Sequence, residues 1–384
     1  MPQRSRTTDV MDAPIQQLLQ QAAVPDDAVS LGQGVPFFGP PEEAIAAATD
    51  VLSSPDGYRY GDDAGHPSLR RAMADTLRRD NDIAACRHDN IIATAGANQA
   101  FVNAVLATTE VGDSVVIVTP HYFNHVMAVQ MAGCRPVFVQ AGRDYVPDPD
   151  DIAMALRRDT RAVVTISPNN PTGAVYPPET LRAINELCAD HGIYHVSDEP
   201  YEYFVYGSAR HVSPASYDAS LEHTISLFSF SKSYGMSGYR IGAMAVPADI
   251  YGEVLKVQDT IAICPSGPSQ AAATAALSVG GAYPRRFLQV LEQNRQVFVD
   301  GLAGIDGVSL PVTDGAFYFL VRLDTDRAAW DVALRLIEDY GVVTIPGEAF
   351  AARTPSLRIA YGNLAEDTAR EGMRRLAEGL RALL

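Results

Sequence analysis

The chain has 384 residues, 47% of them hydrophobic, enough for two domains with cores of their own. Its 30 lysines and arginines face 46 acidic residues, a net charge of −16, which disfavours nucleic acid and anionic membrane surfaces as partners. No apolar run approaches transmembrane length, and the polar stretch Met1–Asp12 lacks the apolar core of a signal peptide. Cys86, Cys134, Cys188 and Cys264 are far apart in sequence. That spacing suggests neither a CxxC metal site nor a compact disulfide framework, and points to reduced thiols in the cytoplasm.

Residues 1–11 read as a loose tail, followed by a helix over Ala13–Ala23 with Pro14 near its start. The run Leu31-Gly-Gln-Gly-Val-Pro-Phe-Phe-Gly-Pro-Pro41 excludes regular structure and lets backbone approach a ligand closely. Pro41 opens a helix to about Leu52, and Tyr58–Pro67 is a polar loop before a helix to about Arg79. Ile91–Ala100 reads as a strand, a glycine turn and a helix start, which leaves free N–H groups at Gly96–Asn98 for an anion. Strands over Ser114–Thr119, Pro136–Val139, Ala162–Ile166 and Ile193–Val196 then alternate with helices over Tyr122–Ala132, Pro149–Arg157 and Pro178–His191. Strands at Thr224–Phe230 and Ile241–Val246 follow.

This alternation predicts an α/β fold with a mostly parallel, doubly wound sheet, in which ligands gather at the carboxyl ends of strands. Beyond Pro247 helical patterns dominate to about Asp300, including a long helix near 267–300. Strands are expected at Gly315–Val321, Gly341–Ile345 and Leu357–Ala360, and a helix at Glu366–Leu384. The expected division is a large domain over 41–280 and a smaller α/β domain over 281–384, with residues 1–40 packing on the latter.

The chain centres on Phe228-Ser-Phe-Ser-Lys-Ser-Tyr-Gly-Met-Ser-Gly-Tyr-Arg-Ile-Gly242. Lys232 is expected on a short Gly-rich loop between two apolar strands, with Ser229 and Ser231 nearby and Arg240 eight residues on. An amine among hydroxyls, beside an arginine and flexible glycines, suits a Schiff base to a phosphorylated aldehyde. The hydroxyls, Arg240 and loop amides suit the phosphate. By itself the stretch is equally consistent with an ordinary loop lysine.

With Asn170-Pro-Thr-Gly173, Asp198 and Tyr201, and Leu357-Arg358 following in order, the chain resembles the class I/II aminotransferases, pyridoxal-phosphate enzymes of fold type I. Thr94–Asn103, Tyr201–Phe204, Phe228–Met236 and Val257–Asp259 are similar to runs in the plant aromatic-amino-acid and methionine aminotransferases. The resemblance implies pyridoxal 5'-phosphate held by Lys232, with Asp198 pairing its ring nitrogen and keeping the ring an electron sink. It implies Asn170 and Tyr201 on the ring's phenolic oxygen and Tyr122 stacked on its face. Gly96, Ala97, Asn98, Ser229, Ser231 and Arg240 would bind the phosphate. Arg358, with Gly34 and Asn170, would hold the substrate α-carboxylate.

Tyr60 and Gly65 match the spacing of a tyrosine that reaches the neighbouring subunit's phosphate, which implies a homodimer with shared sites. Lys232, released by substrate, would carry the proton from Cα. Enzymes that eliminate or cyclise at the γ carbon share these residues, so a lyase or cyclase, for example acting on S-adenosylmethionine, is the alternative reading. A cofactor-binding regulator would need a DNA-binding domain, for which the chain has no basic segment. Ile261-Ala-Ile-Cys-Pro-Ser266 lacks a second arginine, and Phe37, Phe38 and Tyr122 suit an apolar or aromatic side chain, or methionine. Arg59, beside Tyr60, would be the counter-argument if it faces a partner's pocket.

Overall fold

The computed structural model describes residues 5–384. Seven strands form its central sheet, in the spatial order Ile91–Thr94, Gly242–Ala245, Thr224–Ser229, Tyr194–Asp198, Thr160–Ile166, Ser114–Thr119 and Arg135–Gln140. Every pairing among the last five is parallel, and only Gly242–Ala245 runs antiparallel to its neighbours. Ile91–Thr94, Ser114–Thr119 and Gly242–Ala245 are buried throughout, as expected where helices cover both faces of a sheet. Because Gly242–Ala245 is reversed, its amino end lies where the parallel strands have their carboxyl ends: Gly242 is in register with both Thr94 and Ser229. The reversal brings Arg240 to the same rim as Lys232.

A second sheet orders Ile345–Pro346, Ser356–Ala360, Tyr318–Leu323 and Val308–Ser309, all antiparallel. Val29–Ser30 pairs in parallel with Val342–Val343. Trp330 Nε1 donates to Gln21 Oε1 at 3.0 Å, tying the helix Pro14–Gln21 to the helix Ala329–Tyr340.

Four local expectations need correction. Lys232 is not on an irregular loop: Ser229 ends its strand and caps the four-residue helix Phe230–Ser233, its Oγ accepting from the Ser231 N–H at 3.2 Å. Between 267 and 300 there are three helices, Gly267–Val279, Ala282–Arg285 and Leu288–Leu302. The first ends where Gly280 takes φ +79°, a conformation unfavourable for other residues. The expected strand Gly341–Ile345 is two short strands in different sheets, Val342–Val343 and Ile345–Pro346. The tail is pinned: Arg6–Asp9 is a 3₁₀ turn and the Met11 N–H donates to Gln130 Oε1 at 3.0 Å. The first part of that expectation, Met1–Arg4, lies outside the described residues.

Candidate active site

The carboxyl ends of the parallel strands open into a pocket of about 400 Å³. Ala97, Asn98, Tyr122, Asn170, Asp198, Tyr201, Ser229, Ser231, Lys232 and Arg240 line it from the large sheet, and Gly34 and Arg358 from the other side. These residues span more than 300 positions of sequence, and strand order alone makes them neighbours.

Lys232 Nζ donates to the Gly34 carbonyl oxygen. Burial, then the Arg358 and Arg240 cations, push its amine down to about 8, so a useful fraction is unprotonated near neutral pH. Asp198 ends its strand and is buried. Its Oδ2 lies 3.1 Å from His125 Nε2, while Oδ1 has no partner. An orphaned, buried carboxylate oxygen at a pocket wall suits a protonated ring nitrogen in a ligand.

At the opposite end, the helix Ala97–Thr108 starts after Gly96, with no side chain capping its first N–H groups. Gly96 takes φ +87°, and a Cβ there would stand 2.6 Å from Arg240 Nη2. Gly96 therefore makes room for the guanidinium, which donates to Ser231 Oγ at 3.4 Å and to the Ser237 carbonyl at 3.0 Å. A helix start, two serines and an arginine make an anion cradle suited to a phosphate. Arg358 is buried, donates from Nη1 to Asn170 Oδ1 at 3.0 Å and from Nη2 to the Gly32 carbonyl, and leaves Nε unpaired. A buried arginine without a carboxylate partner is a ready receptor for a substrate's.

Two groups of residues do not line this pocket: Tyr60 and Arg59, expected at a neighbouring subunit's site, and Phe37 and Phe38, expected here. Tyr60 is 83% exposed and lines, with Arg59, a separate groove of about 380 Å³ between the helices Glu42–Val51 and Gly267–Val279. Phe37 and Phe38 do not line the pocket either. Phe38 stacks on Phe287 at 3.9 Å and Phe37 meets the same ring edge-on, so both are packing residues. The apolar lining comes instead from Ile15, Leu19, Val35, Phe123, Ile166 and Tyr318.

Sequence reasoning missed His125 and Tyr318. His125 is a polar residue among the buried positions of the helix Phe123–Met131, which are otherwise apolar, a signal that could have been read. Tyr318 stands in a strand buried on both faces and gave no such signal.

The aminotransferase class I and II family model matches residues 26–376. The aromatic aminotransferase ISS1 of Arabidopsis thaliana is 35% identical, covering 99% of this chain and 97% of that protein. The aspartate/prephenate aminotransferase of Thermus thermophilus is 33% identical, covering 92% and 91%. Among solved structures, the aromatic aminotransferase of Pyrococcus horikoshii superposes with a TM-score of 0.87 at 31% identity, over 96% of this chain and 99% of that one.

Proposed function

The chain belongs to the class I and II aminotransferases, and from that premise we propose that it moves the amino group of an apolar or aromatic L-amino acid, or methionine, to a 2-oxo acid with pyridoxal 5'-phosphate bound in the pocket described. The observation that carries this reading is that Lys232, the orphaned Asp198 oxygen and the unpaired Arg358 nitrogen surround one cavity. The residues fit the cofactor: Lys232 for its aldehyde, Asp198 for its ring nitrogen, and Ala97, Asn98, Ser229, Ser231 and Arg240 for its phosphate. Gly96, behind them, leaves the space that Arg240 fills. Tyr122 would cover the ring and Asn170 and Tyr201 would donate to its phenolic oxygen. When bound, the cofactor supplies an electron sink for charge developing at the substrate's Cα.

The chain's own residues do the rest. Arg358 and Asn170, near Gly34, hold the α-carboxylate and so fix which Cα bond faces Lys232. His125, 3.1 Å from Asp198 Oδ2, would orient that carboxylate for the cofactor's ring nitrogen. The Lys232 amine, largely neutral above about pH 8, takes the proton from Cα. Residues 41–280 would carry the cofactor, with 281–384 and the first 40 residues as a second unit; the pairing of Val29–Ser30 with Val342–Val343 supports this. Membership of a homodimer is supported by the exposed Tyr60, discussed below. Among the described residues no helix is long and apolar enough to cross a membrane; a cytoplasmic enzyme is proposed.

Among the described residues the cationic side chains lining the pocket are Lys232, Arg240 and Arg358, all assigned, and its remaining walls are largely apolar. A distal carboxylate would therefore find no free cationic partner among the described residues at this pocket. Single-turnover absorbance over a panel of amino acids tests this: phenylalanine, tyrosine or methionine should convert the cofactor faster than aspartate. Aspartate as the fastest donor would refute the side-chain argument, and steady product formation without an oxo acid would replace transamination by elimination or cyclisation.

A further inference from the structure

Tyr318 touches two of the residues to which roles have just been given. Its hydroxyl oxygen lies 2.8 Å from that of Tyr201, and its ring centre 4.8 Å from the Arg358 guanidinium carbon. The strand register explains the second contact. Tyr318 pairs with Ala360 and Leu320 with Arg358, so Tyr318 and Arg358 are diagonal neighbours on one face of paired strands.

The first contact raises the question of which hydroxyl donates. Tyr318's is covered by Gly34, since a Cβ on Gly34 would stand 2.0 Å from that oxygen. Either hydroxyl could donate in this pair; with Tyr318 as the donor, Tyr201 keeps its own proton to give. The rings meet edge-on at 87°, which holds the pair in that arrangement.

We propose that Tyr318 is a positioning residue. Its hydroxyl donates to Tyr201 and so turns the Tyr201 proton toward the pocket, and its ring seats the Arg358 guanidinium for a carboxylate. One side chain of the smaller sheet then sets both the hydrogen bond on the ligand's ring oxygen and the receptor for its carboxylate. Two hydrogen bonds in series polarise one another, so Tyr201 donates more strongly than it would alone. The ring's negative face stabilises a desolvated cation that lacks a partner at Nε. This inference rests on the proposed roles of Tyr201 and Arg358.

The test uses the enzyme loaded with pyridoxal phosphate and two readouts. One is the pH midpoint of the bound cofactor's visible absorbance. The other is the affinity for 3-phenylpropionate, a carboxylate without an amine to react. Donation from Tyr201 stabilises negative charge on the phenolic oxygen, so weakening it raises the midpoint. Tyr318→Phe should raise it by about half a pH unit and leave 3-phenylpropionate affinity unchanged, because the ring remains. Tyr201→Phe should raise it further, and the double variant no further than Tyr201→Phe alone. Tyr318→Met, checked for folding by thermal unfolding, should weaken 3-phenylpropionate binding about threefold or more.

If Tyr201→Phe moves the midpoint and Tyr318→Phe does not, or the two effects add, the proposal is wrong while the function stands. Equal loss of carboxylate affinity in Tyr318→Phe and Tyr318→Met would remove the role of the ring. If Lys232 takes up no cofactor, or Tyr201→Phe moves nothing, the reading of the site fails and this inference with it.

Discussion

Two lysines serve the whole chain, and their surroundings differ completely. Lys256 is solvent-exposed and bridges Glu253 at 2.7 Å. Lys232 sits in the pocket, where burial and two guanidinium groups all disfavour the ammonium form. The sign follows: its amine is protonated below a midpoint of about 8 and neutral above it. Competitive acylation of the cofactor-free protein with acetic anhydride, followed by peptide mapping, should show Lys232 labelling rise about tenfold per pH unit and level off near 8. Arg358→Leu removes a neighbouring cation and should move that midpoint upward. Labelling of Lys232 that keeps rising to pH 10 would contradict the environment described.

The elements that present these residues depend on a few backbone positions. Gly235 follows the short Lys232 helix at φ +64°, and a Cβ there would meet the Phe38 carbonyl oxygen at 2.4 Å and that of Gly39 at 2.6 Å. The loop after Lys232 therefore packs directly on the backbone of the 31–41 segment, whose Gly34 carbonyl accepts from Lys232. Gly192, which ends the helix Pro178–His191 at φ +62°, faces open space. Alanine at Gly192 should cost only the left-handed backbone penalty, about 1 kcal/mol. Alanine at Gly235 adds a clash with backbone that cannot rotate away, and should cost about 3 kcal/mol or more, with weakened cofactor retention. Urea unfolding of the two variants compares them. Equal costs would mean that the close approach at Gly235 does not constrain the loop.

At the scale of the molecule, Tyr60, Asn98 and Arg240 are the exposed members of an otherwise enclosed set. Ile45, Leu52 and Tyr58, close to Tyr60 in sequence, are large apolar groups that are likewise exposed. A second copy covering these groups would explain both facts, and would put the partner's tyrosine beside the anion cradle. The complementation experiment decides it. Tyr60→Ala and Lys232→Ala chains, each inactive alone, form a heterodimer in which one of the two sites has both native residues. Random reassembly should recover about a quarter of native activity, since about half the dimers are mixed. No recovery in verified heterodimers would mean that Tyr60 acts within its own chain.

The sequence by itself determined the fold class and most strands of the large sheet, and it singled out Lys232, Asp198, Asn170, Arg240 and Arg358, which the fold brings to one pocket. It could do so because buried parallel strands read as short apolar runs, and because charged residues inside such runs are costly without a purpose. The local form of the Lys232 segment was not legible: whether small polar residues after a strand turn or coil depends on what they pack against, here the backbone at Phe38 and Gly39. The aromatic residues misled for the same reason. Phe37 and Phe38 are pocket-like in sequence but are claimed by Phe287, which lies 249 positions beyond Phe38 in the chain. Only tertiary structure brought Tyr318 to Tyr201 and Arg358, because the register of two antiparallel strands and the absence of a side chain at Gly34 set that contact, and neither is written in any local pattern.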